Sequence, residues 1–183
     1  MTKLLFVGVA PPYQNSPVIR TIAKSATTDS GDNLRQLIEA AVALPWDDLV
    51  AKGVFLIHAV KCAIVPDEAG FQNPSSDIID RCCSVGFADE LQLLHPTRIV
   101  AFGGAARRAV LKHPSITVPR GVGVSKTLKK LQESWPGGIP GKFGDTELML
   151  YPAPFPRSAA AKSEAAGIIK EAVRFADLLK AAG

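Results

Sequence analysis

The chain has 183 residues, 47% hydrophobic and 21% charged, with a formal net charge of +4. That balance suits one soluble domain, residues 1–183, able to bury about 70% of its unfolded surface. No apolar run approaches ~18 residues, which excludes a membrane-spanning helix, and the charge permits an anionic partner without requiring one. Three cysteines, Cys62, Cys82 and Cys83, an odd count with no C-x-x-C, argue against a disulfide framework and indicate neither a zinc site nor a thioredoxin-like motif. With no basic flank or cleavage site near the start, a reducing, cytoplasmic setting is expected.

Taken in chain order, "KLLFVGVAPP" opens with a short apolar strand over Lys3–Val9 that stops on a glycine and two prolines. Leu34, Leu37, Ile38, Ala41 and Val42 then keep the spacing of one buried helix face. A second buried strand spans Gly53–Val60. The stretch Pro74 to Leu94 opens on the cap-like "NPSSD" and reads as one helix with Ile78, Cys82 and Val85 on one side. Thr97–Gly103 is a third strand, followed at once by the helical "GGAARRAVLKH". Ser125 to Trp135 is a short basic helix, Thr146–Tyr151 a fourth strand, and Ala159 to Ala182 a closing amphipathic helix. Pro114–Val124 and Pro136–Gly144 read as irregular.

Strands alternating with helices require parallel pairing with both sheet faces covered. The expected fold is therefore α/β: a three-layer αβα sandwich around a four-stranded parallel sheet. Ligands in such sheets bind outside the carboxyl ends of the strands, here "GVAPPYQ", "HAVKCAIVPDEAG", "FGGAARR" and "YPAPFPRS". Phosphate-loop patterns fail: "GVAPPY" lacks G-x-G-x-x-G, and "GGIPGKF" places Phe143 where a metal-binding hydroxyl belongs. "GVSKT" lacks the closing glycine of a serine elbow. Of three histidines, His95 and His113 precede prolines at helix ends, where an imidazole meets orphan carbonyls. His58 lies near the end of the second strand, as a site residue or a hydrogen-bonded core residue. Arg107, Arg108, Lys126, Lys129 and Lys130 cluster as a phosphate-facing rim or as solvated helix faces.

The series "LLFVGVAPP", "TTDSGDNL", "HAVKCAIVPDEAGFQNPS", "LLHPTRIVAFGGAARRAV" and "YPAPFPRS" resembles, in this order, the uracil-DNA glycosylase superfamily, and most closely its bacterial and archaeal fourth and fifth families. The matching pieces are Gly8-Val9-Ala10-Pro11-Pro12, Ser30-Gly31-Asp32-Asn33-Leu34, Val60-Lys61-Cys62 and the loop Tyr151-Pro152-Ala153. The resemblance implies a base flipped from DNA into a pocket at the strand ends and cleavage of its glycosidic bond. It implies a base pocket of Gly8, Val9, Ala10, Pro11 and Tyr13, with Phe155 as an apolar wedge and Arg157, Arg107, Arg108 and Lys126 on phosphate.

The working positions differ from the family pattern. His58 stands where the family reads uracil with asparagine, and Tyr151 where it stabilises the leaving group with histidine. Val9 replaces the fourth family's acid. Asp29, one residue from the fifth family's aspartate, is the water-positioning candidate, or else a helix cap. No aromatic residue occurs between Tyr13 and Trp46 to stack on a base. The fourth family's iron–sulfur cluster takes four cysteines, so no cluster, metal or other cofactor is expected. DNA is the expected partner and a monomer the expected state. Three readings remain open: a divergent glycosylase acting on uracil or another deaminated base, a non-catalytic nucleic-acid-binding relative, and a small-molecule binder on the same fold.

Overall fold

A computed structural model describes residues 2–10, 29–61 and 74–176, side chains excepted at 29–33 and 175. Strand β1 (Leu4–Gly8) is buried throughout. Helix α1 (Asp29–Val42) turns Leu34, Ile38 and Val42 inward and ends on Ala43, whose left-handed φ of 57° stops the helix before Pro45. The six-residue α2 (Trp46–Ala51) is too short to show periodicity; Asp47 and Asp48 favour its first turn. Strand β2 (Val54–His58) follows. The expected helix 74–94 is α3 (Ser76–Cys82), a π-helical turn (Cys83–Phe87) and α4 (Ala88–Leu94), with the Ser75 hydroxyl capping the Ile78 N–H at 3.4 Å. The wide turn gives a four-residue repeat, so Ile79, Cys83, Phe87 and Leu91 face the core. The expected stripe is thereby corrected, and Val85 is 67% exposed.

Beyond these lie β3 (Arg98–Phe102), α5 (Gly103–Lys112), β4 (Ile116–Thr117), α6 (Leu128–Ser134), β5 (Ile139–Phe143), β6 (Thr146–Ala153) and α7 (Ala159–Phe175). The sheet order is β2-β1-β3-β6-β5-β4. The four expected strands form its parallel part, but the sheet is mixed and six-stranded, because β5 and β4 add antiparallel to β6. Pro140 and Gly141 disguised β5. Strand β4 pairs only with Lys142 and Phe143, so Pro140 lies on a stretch with one free side and its missing N–H costs nothing there.

Three layers result. Helices α3, α4, α5 and α6 cover one face through Ile79, Phe87, Leu91, Ala106, Val110 and Leu131. Helices α1, α2 and α7 cover the other through Leu34, Ile38, Leu49, Ala165, Ile169 and Val173. On that second face Phe6 and Phe102 stack with ring centroids 6.0 Å apart. No helix among the described residues is long and apolar enough to cross a membrane.

Candidate functional site

The carboxyl ends of β1 and β2 are locked together. Gly8 is level with His58, and the Ala59 and Val60 N–H groups donate to the Gly8 and Val9 carbonyls at 3.0 and 2.9 Å. Val9 is thereby fixed beyond the strand end, with Ala10 half-buried after it. The His58 ring lies over Gly8 on the α1 face, where Leu34 also approaches. Its pKa is lowered to about 4, first by burial and then by the nearby Lys61 charge, so the imidazole is neutral at pH 7. It makes no hydrogen bond among the described residues.

Lys61 is held in turn. Its stem crosses Gly86 in the π-helical turn, its ammonium lies 5.6 Å from the Phe87 ring centroid, and it pairs with Glu90 of α4. Burial lowers its pKa, and Glu90 opposes that shift. Sequence reasoning noted Lys61 only inside a motif; the glycine four residues before Glu90 was the available sign of close approach.

Asp29 opens α1 five residues before Leu34, about 7.5 Å of helix. Because Leu34 approaches Gly8, the start of α1 lies at the same end and face of the sheet as His58. The side chain of Asp29, and all of Pro11, Tyr13 and Cys62, lie outside the described residues.

Tyr151 is elsewhere. The row Leu56, Phe6, Val100, Tyr151 sets it three strands across and two residues below His58, roughly 16 Å away. Tyr151 is 3% exposed and packs against Gly138, and the charge of Arg98, at the start of β3, acts on its hydroxyl. Burial raises its pKa. Tyr151-Pro152-Ala153 also belongs to β6 and not to a loop, which corrects the expected boundary. Strand β5 pairs only as far as Leu150, so Pro152 has one free side. The loop proper begins at Pro154.

That loop builds an open cleft of about 510 Å³ on the α5 face, lined by Val9, Ile79, Gly103, Gly104, Arg108, Phe155 and Arg157, among others. Phe155 is half-buried, its β-carbon 3.2 Å from where Gly103 would carry one, and the Arg157 guanidinium lies 5.4 Å from its ring centroid. Arg108 holds Asp80 through two bonds of 3.0 and 2.9 Å, and Lys112 adds a third at 2.7 Å. Those cations lower the Asp80 pKa to about 2. Arg107 has a shielded Nε with no partner among the described residues. Lys126 is exposed between β4 and α6 and does not line this cleft. The sequence names Gly103 only within the strand end "FGGAARR" and without a role, although a glycine there signals such an approach.

The family model of the uracil DNA glycosylase superfamily matches residues 1–178. The chain belongs to that superfamily. The match spans every strand end described above. No curated protein matches the chain. Among the described residues no three His, Cys, Asp or Glu side chains are grouped to hold a metal ion.

Proposed function

We propose that this superfamily member is a divergent DNA glycosylase acting on uracil or another deaminated base. The observation that carries the reading is the place of His58: an imidazole at the carboxyl end of β2, laid over Gly8 and kept neutral at pH 7 first by burial. A neutral imidazole offers one donor and one acceptor, so it can donate to the keto oxygen that deamination leaves on a base. Asp29, at the start of α1, is the group for positioning water against the sugar as positive charge develops there. Tyr151 is left out of this chemistry by its place three strands away from His58.

The Tyr151 position also favours a second reading, a DNA-binding relative without base release, because no other leaving-group stabiliser is identified. Incubating the protein with single- and double-stranded oligonucleotides carrying uracil, hypoxanthine or xanthine, and assaying abasic sites, separates the two. Base release abolished by Asp29→Ala supports the glycosylase. Salt-sensitive binding without release supports the second reading.

A further inference from the structure

Resting on that reading, we propose that the Phe155 cleft is a second base subsite, which takes an unpaired base flanking the target in single-stranded DNA. Phe155 does not project as a wedge would; it lies half-buried beside Gly103 and against the core on the α1 and α7 side, with Arg157 against its ring. A partly exposed aromatic face beside an arginine is a platform for a nucleobase, which stacks on it whatever its hydrogen-bonding edge. The cleft's volume of about 510 Å³ has room for a base and part of its sugar-phosphate.

The rim has the matching charge. Arg108 and Arg157 line the cleft and put two guanidinium groups on it, Arg108 also holding Asp80 together with Lys112. The subsite is distinct from His58. His58 lies over Gly8 at the end of β2, and the cleft opens two strands away at Gly103, at the end of β3, with α3 and α5 lining it. Two strand spacings amount to about 10 Å, against a stacked rise of about 3.4 Å per nucleotide. Neighbouring bases held at both points cannot remain stacked on each other, so the strand has to be unpaired and extended.

The test uses the full chain and short labelled strands bearing one uracil, either intact or with the base on one side replaced by an abasic tetrahydrofuran. Wild type should bind one of the two flank-abasic strands about tenfold more weakly than the intact strand, and should bind duplex more weakly than single strand. Phe155→Leu should bind intact and flank-abasic strands equally at the weaker level, and Phe155→Trp should keep the difference. No flank discrimination by wild type, discrimination that survives in Phe155→Leu, or duplex bound as tightly as single strand would each overturn the subsite. Flank discrimination without uracil release would leave the subsite standing and remove the glycosylase reading; release without discrimination would do the reverse.

Discussion

The imidazole of His58 rests on Gly8, so closely that a β-carbon on Gly8 would meet His58 Cδ2 at 3.0 Å and Nε2 at 3.4 Å. Glycine at position 8 therefore sets where the ring lies. Gly8→Ala should tilt the imidazole at a cost of about 1–2 kcal/mol in stability. Uracil release should fall about tenfold or more, because small misplacements of a reacting group are expensive. Thermal denaturation and single-turnover release on the same preparation check both. Unchanged release would show that the ring orientation does not matter to the chemistry.

The low pKa of His58 makes stability depend on pH in a defined direction. Folded His58 takes a proton only near pH 4, whereas the unfolded residue takes one near its ordinary 6.5. Between those values the unfolded state binds more protons, so stability falls as pH falls from 6.5 to 4. The full contribution is about 3 kcal/mol. His113 shifts in the same direction and Asp80 adds its own acid limb, but both persist in a His58→Asn variant. Urea denaturation at pH 7, 5 and 4 should therefore show wild type losing more stability than the variant. Parallel losses would mean that the imidazole is not desolvated.

Tyr151 is predicted to support the core. Tyr151→Phe removes a buried hydroxyl and keeps the ring that packs the core, which should cost about 1 kcal/mol or less. Base release should stay within about twofold of wild type. Loss of a leaving-group stabiliser would instead lower it by about 10² or more. A rate measurement with saturating enzyme distinguishes the two outcomes.

Legibility in the sequence followed burial. The four parallel strands are covered on both faces and read as continuous apolar runs, and α1 showed its stripe because only one side of it is buried. The edge was harder. Pro140 and Pro152 argue against strand, yet each lies where one neighbour is missing, a condition that depends on strand lengths elsewhere. The stripe of α3 and α4 was misassigned because a π-helical turn changes the repeat from 3.6 to four. The place of His58 at the end of β2 was legible in the sequence. The separation of Tyr151 from it was not, because that follows from strand order, which only the assembled sheet gives.

Gly103 and Gly104 are adjacent in sequence and should respond oppositely to the same change. Gly103 has a φ of 82°, and its β-carbon would lie 3.2 Å from that of Phe155 and 3.8 Å from Val9 Cγ2. Gly103→Ala should destabilise by about 1–3 kcal/mol through the left-handed backbone alone, and should displace Phe155 as well. Gly104 stands in the first turn of α5 with nothing within 4 Å of a β-carbon. Gly104→Ala should stabilise the helix by up to about 1 kcal/mol. Calorimetry on both variants, followed by binding to intact and flank-abasic single strands, reads the two effects together. The loss of flank discrimination should accompany Gly103→Ala alone. If Gly104→Ala loses it equally, the base contacts the start of α5 directly and does not depend on the Phe155 ring.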